Sequence, residues 1–152
     1  MKRIFAAIIV FIMCFLMMTS LSFAAPETIG MYETLGVNGI ITVTNPDKAY
    51  TTTYSKSCTL SGFAQAGAKI YIYYYDSQAD VYKLSYENGL PFSVTAGASG
   101  MFVIPLKLSS GSNNIIIRAE KDNNFQNVSM HINVLSASLF SIKSGLKAFK
   151  FN

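Results

Sequence analysis

The chain is poor in the residues from which most reaction and metal sites are built. Of its 152 residues a single one is histidine, two are cysteine and eight are acidic. One histidine without a cysteine pair cannot assemble the usual tetrahedral zinc set. A nucleophilic serine or cysteine needs a base beside it, and His131 falls out of phase with Val128, Met130, Ile132 and Val134, on a face expected to meet solvent. Positive charge is also scarce. The formal net charge is +4, of which Lys2 and Arg3 supply two at the extreme N-terminus, so there is no basic stripe of the kind that binds nucleic acid. No acid follows Asp122, and Lys143, Lys147 and Lys150 form a local basic tail: a solvated end, or a contact with an anionic polymer or membrane surface.

Long hydrophobic runs are absent with one exception. Ile4 to Met18 is nearly unbroken hydrocarbon behind Met1-Lys2-Arg3, and Ser22-Phe23-Ala24 places small residues at a cleavage site. A stretch of about 15 residues falls short of the roughly 20 that span a bilayer as a helix. Residues 1–24 therefore read as a secretory signal peptide, which puts the chain outside the cell or in the cell envelope, with membrane contact only before cleavage. Cys14 leaves with that segment, so Cys58 has no partner for an intrachain disulfide. In phase with Leu60, Cys58 is expected to point into the core as a small apolar side chain. What remains suffices for one domain with its own core.

Alternation with a period of two dominates from Cys58 to Leu135, broken by clusters of Gly, Asn, Asp and Ser. Successive side chains of a strand point to opposite faces, so this pattern predicts half-buried strands and an all-β fold. Residues 25–38 show no sustained period and read as a linker or N-terminal arm. Strands are expected over 40–44, 56–64, 69–75, 81–86, 101–108, 114–120 and 127–135, with a short edge segment at 51–53 and a further run at Phe92 and Val94. Asn88-Gly89 is a strong turn dipeptide. Pro105 lacks an amide proton, so its strand is expected to be a sheet edge, or Pro105 to sit where its nitrogen faces outward. From Ser138 the apolar residues Leu139, Phe140, Ile142, Leu146 and Phe149 recur at intervals of three and four, so residues 136–152 are expected to form a short amphipathic helix.

Aromatic residues supply the one feature with functional content. Tyr71, Tyr73 and Tyr75 project from one side of a single strand, and Tyr82 and Tyr86 on the next strand can lie opposite them. Such a stripe can form the hot core of a protein interface or stack on sugar rings, or it can be covered by the chain's own N-terminal arm or C-terminal helix. Asp76 with Asp80, and Glu120 with Asp122, carry oxygen ligands in loops, but without the spacing of a dedicated calcium site. No metal and no cofactor is assigned. Few carboxylates stand outside turns, so a glycosidase pair has little to draw on.

Several segments together resemble the bacterial immunoglobulin-like (immunoglobulin- or fibronectin type III-like) β-sandwich domains of secreted and cell-surface proteins. They are Thr59-Leu60-Ser61-Gly62-Phe63-Ala64, Gly67-Ala68-Lys69-Ile70-Tyr71-Ile72, Gly100-Met101-Phe102, Leu108-Ser109-Ser110-Gly111-Ser112-Asn113, and the trio Ile115, Ile117 and Ala119. The resemblance spans about residues 40–135 and implies an antiparallel sandwich of seven to eight strands over 39–135. Gly62 fits a close approach of facing strands, and Gly100 a tight turn. The family has no common catalytic residue. The expectation is therefore a non-catalytic structural or interaction module, binding an extracellular or cell-envelope protein and no nucleic acid. The alternative is a carbohydrate-binding module that uses the tyrosine face.

Overall fold

In a computed structural model, which describes residues 25–33 and 35–136, the alternating runs form strands and no helix is present among the described residues. The expected signal peptide and C-terminal helix lie outside the described residues. The strands in chain order are β1 (Thr28–Gly30), β2 (Ile41–Asn45), β3 (Tyr50–Thr53), β4 (Ser57–Ala64), β5 (Lys69–Asp76), β6 (Val81–Leu84), β7 (Tyr86–Glu87), β8 (Leu90–Pro91), β9 (Ser93–Thr95), β10 (Met101–Lys107), β11 (Gly111–Lys121) and β12 (Asn124–Val134). The larger sheet runs β1-β6-β5-β11-β12-β3, with β9 also pairing β5; a three-stranded sheet runs β10-β4-β2; β7 and β8 form a separate hairpin.

These twelve strands exceed the seven or eight expected, because the run from Val81 to Val94 is divided among four short pieces and the N-terminal arm contributes β1. Nor is the pairing wholly antiparallel. The chain leaves the three-stranded sheet after β2, passes the cis Asn45–Pro46 bond, and joins the larger sheet as β3, parallel to β12.

The two principal sheets share one hydrocarbon core. Leu60, Phe102, Ile104 and Leu106 from the smaller sheet meet Ile70, Ile72, Ile115, Ile117, Met130 and Ile132 from the larger. Alternation on β10 is complete, with Phe102, Ile104 and Leu106 buried and Met101, Val103, Pro105 and Lys107 exposed. This is a β-sandwich-like layering, in which each sheet hides its apolar face against the other. Cys58 is half-buried and packs against that core, and burial raises its thiol pKa.

Local chemistry explains the joints. A side chain at Gly62 would put its Cβ 2.1 Å from the Thr42 carbonyl oxygen of the adjoining strand, so glycine permits the β2–β4 approach. Asn88 and Gly89 both take positive φ, as do Asp122 and Asn123, giving two-residue hairpin turns whose twist matches the flanking strands. The buried Asn113 side chain accepts from Ser109 N–H at 2.9 Å and donates to the carbonyls of Ser109, Gly111 and Ile132, which pins the turn into β11. Pro105 does lie on an edge strand, since β10 ends the smaller sheet.

Candidate functional site

Strand β5 carries the predicted aromatic stripe, and its two sides have different fates. Ile70 and Ile72 face the shared core, with Tyr74 packed against it, while Tyr71 and Tyr73 face outward from the sandwich. They are nevertheless interior: Tyr71 is 6% exposed and Tyr73 0%. A second cluster encloses them, made of Ile29 from β1, Leu84 from β6 and Ile116 from β11. The cover is the N-terminal arm, one of the two covers anticipated from the sequence.

The arm is held by polar as well as apolar contacts. Tyr73 Oη donates to the Pro26 carbonyl at 2.8 Å, and Leu84 N–H donates to the Glu27 carbonyl at 2.9 Å. Ile29, fully buried, lies opposite Tyr82 in the β1–β6 ladder. Further along, Leu35 and Val37 exchange backbone hydrogen bonds with Asn127 and Phe125 of β12. Gly36 sits between them at positive φ, where a Cβ would fall 2.1 Å from the Phe125 carbonyl oxygen.

Arg118 fastens the arm electrostatically. Its guanidinium lies 3.9 Å over the Phe125 ring, Nε donates to Glu120 Oε1 at 2.7 Å, and Nη1 donates to Glu33 Oε1 at 2.8 Å. With only 9% of its side chain exposed, the cation is matched by charge-assisted hydrogen bonds rather than by water. Burial is also the leading cause of raised phenol pKa values at Tyr71 and Tyr73, strongly so at Tyr73.

The remaining members of the predicted stripe are divided between two places. Tyr75 and Tyr82 are cross-strand partners with rings 5.3 Å apart and tilted by 56°. Tyr75 Oη donates to Asp80 Oδ1 at 2.6 Å, and that hydrogen bond is the main cause of its raised pKa. Asp76 pairs with Lys83 at 2.5 Å and accepts the Gln78 and Ala79 amides; the lysine contact leads in holding its carboxyl below the usual range. Tyr86, 51% exposed, stands apart on the β7–β8 hairpin. The structure thus brings Tyr71, Tyr73, Tyr75 and Tyr82 onto one face but leaves only the last two partly accessible.

The loop carboxylates have protein partners: Asp76 and Asp80 as above, Glu120 with Arg118, and Asp122 3.6 Å from Lys121. Among the described residues no group of three His, Cys, Asp or Glu side chains converges. An open cleft of about 520 Å³ beside the arm is lined by both signs of charge, including Lys69, Arg118, Glu120 and Lys121, with Phe125 on one wall. His131 is half-buried rather than solvent-facing; its ring stands 5.5 Å from that of Tyr50, and Nδ1 is 2.5 Å from Asn114 Oδ1.

The outer face of the smaller sheet was not singled out by sequence. Phe63 and Met101 are directly opposed across β4 and β10, with Val103 two residues along, and all three are more than half exposed. Thr42 and Ser61 are their neighbours in the ladders. Alternation alone carried the signal, since the apolar residues out of phase with the core on β4 and β10 are these three. In comparison with known proteins, the sequence matches no family model and no curated protein.

Proposed function

We propose that the chain is an exported, non-catalytic immunoglobulin-like module that binds another protein at the cell envelope or in the medium. The supporting observation is strand order. Taken as strands A, B, C, E, F and G, the elements β2, β4, β5, β10, β11 and β12 give one sheet with A, B and E and another with C, F and G, the division that defines immunoglobulin-like sandwiches. The module departs from the constant-type pattern in that β9 pairs the C strand rather than the E strand. Modules of this architecture act through their surfaces, and function has to be argued from the surface itself.

The surface best suited to a protein partner is the outer face of β4 and β10. Phe63 and Met101 are of the aromatic and methionine types enriched at interface centres, and with Val103 they form an apolar patch whose ladder neighbours, Thr42 and Ser61, carry no charge. Both uses of the tyrosine stripe, as a protein interface and as a glycan platform, relied on open rings at Tyr71 and Tyr73, which are buried under the arm; a glycan platform is thereby reduced to the tilted Tyr75–Tyr82 pair and the separate Tyr86. A photo-activated cross-linker placed at Val103 on the exporting cell is expected to capture one protein species. Labelling of polysaccharide alone, or no capture where the chain is displayed at full abundance, rejects the reading.

A further inference from the structure

Sheet edges expose rows of unpaired amides and carbonyls, and this molecule treats its edges unequally. On β10, Gly100 O and Leu108 N bond to β4 and its flank, so the amides that point away from the sheet belong to the alternate residues Met101, Val103, Pro105 and Lys107. Pro105 has no proton to offer, and the Tyr74 phenol stands beside Lys107. At the start of β2, the Ile40 and Ile41 amides are both capped by Gln126 Oε1, at 2.8 and 3.1 Å. The edge of β6 is covered by β1, and the first part of β12 by residues 35–37.

Strand β3 has no such device. It lies outermost in the larger sheet, with Ala49 O and Thr53 O accepting from His131 N–H and Leu135 N–H at 2.7 and 2.9 Å. The alternate backbone groups, those of Tyr50 and Thr52, therefore point away from the sheet. No proline and no charged residue lies between Tyr50 and Ser55, and Tyr50 is 78% exposed. The segment Tyr50-Thr51-Thr52-Thr53-Tyr54 also reads the same in both directions.

From these observations we infer that β3 is a self-association edge whose occupant is β3 of a second copy of this chain, paired antiparallel about a two-fold axis at Thr52. A palindromic strand is what such an axis selects. Thr52 meets Thr52 of the second copy and Thr51 meets Thr53, pairs that stabilise antiparallel sheets, and Tyr50 comes beside Tyr54, the first residue beyond the strand. The larger sheet then runs continuously through both copies, and Thr52 exchanges two main-chain hydrogen bonds across the axis. Lys56 belongs to the other sheet, where its carbonyl accepts from Leu108 N–H at 2.8 Å, so no charge falls within the joint itself. The inference goes beyond the function proposed above and does not rest on it; a chain that proves monomeric leaves the face at Phe63 and Val103 untouched.

The test is sedimentation equilibrium of the full exported chain. The wild type is expected to show a monomer–dimer equilibrium. Thr52→Pro removes an outward amide and no bond to β12, so its thermal transition should be unchanged while dimerisation weakens on the order of 30-fold, for the two hydrogen bonds lost. Thr52→Lys keeps the backbone donor and sets two cations against each other at the axis; it should weaken the dimer at low salt and serves in place of the proline variant if that variant fails to fold. In a Cys58→Ser background, Thr52→Cys should form a covalent dimer under mild oxidation. A wild type that sediments as monomer throughout, or a dimer of equal strength in the lysine variant with no Thr52→Cys cross-link, overturns the inference.

Discussion

The two faces of the larger sheet are built from the same strands and closed in opposite ways. On the inner face, β5 and β11 present Ile70, Ile72, Ile115, Ile117 and Ala119 to a whole second sheet. On the outer face the same strands present Tyr71, Tyr73, Ile116 and Arg118 to an arm whose regular part is three residues long. A sheet can bury a hydrocarbon surface by area alone, since transfer out of water yields roughly 25 cal/mol per Å². A short arm offers little area, and its docking must also offset the entropy of ordering a chain end, roughly 1–2 kcal/mol per residue for the backbone. Directional anchors make up the difference: the Tyr73 hydroxyl on the Pro26 carbonyl, and Arg118 on Glu33. Tyrosine suits that face because it brings a large apolar body and a hydrogen-bonding tip.

The sharpest break of this comparison truncates a fully buried isoleucine on each side. Ile117→Ala removes a side chain locked between two sheets and should destabilise the fold by about 2–5 kcal/mol in denaturant titration. Ile29→Ala removes an equally buried group, yet its cost has a ceiling, because the arm can detach while the sandwich persists. A loss of less than about 2 kcal/mol is expected, at the low end for such truncations. Hydrogen exchange separates the two: Ile29→Ala should release the Leu84 amide, which bonds to the arm at Glu27, and leave the Ile72 and Ile117 amides protected. Equal losses from the two variants would make the arm part of the cooperative core.

A smaller effect probes the electrostatic fastening. Glu33→Gln keeps the shape and takes away one of the two carboxylates that face Arg118, while Glu120 remains at 2.7 Å. The guanidinium stays partly compensated and the new amide oxygen can still accept from it, so the expected loss is about 1 kcal/mol, below the roughly 1.5–3 kcal/mol of a full hydrogen bond to a charged group. It should appear as faster exchange in residues 25–33, with the core unaffected. If the variant is indistinguishable from wild type at low salt, Glu33 is only a surface partner and the anchoring account of the outer face fails at that residue.

How much of this was readable beforehand follows from range along the chain. Period-two runs such as Ser57–Ala64 and Met101–Lys107 declare themselves within a few residues, as do the Asn88-Gly89 turn, the edge position forced by Pro105 and the close approach at Gly62. β1 could not be seen, since Thr28-Ile29-Gly30 is too short to show a period and gains its strand character from β6, more than fifty residues on. The stripe on β5 was placed on the correct side, but its exposure depended on what covers it. Arg118 and Glu33 are 85 positions apart, and no local pattern joins them. The parallel seating of β3 on β12 was hidden for the same reason. Local alternation states which side chains share a face; which face is closed is decided by long-range pairing.

Alkaline pH offers the gentlest way to sharpen the comparison, because it acts on the outer-face phenols without changing a residue. Burial raises the pKa of Tyr73 and of Tyr71, while an unfolded chain ionises its tyrosines near pH 10. Their contribution is therefore complete below that value and is lost as pH climbs toward the folded-state pKa, since only the unfolded state releases protons there. Tyr73→Phe removes one such group together with the hydrogen bond to Pro26, so it should be less stable than wild type by about 1 kcal/mol at pH 7. Its stability should then fall less steeply above pH 10, and the two curves should converge. Some slope must persist in the variant, because Tyr74, against the inner core, is raised by burial as well. Urea titrations from pH 8 to 11 measure both slopes; parallel curves would mean that the Tyr73 hydroxyl can reach water by lifting the arm, and that the outer face opens well before the inner one.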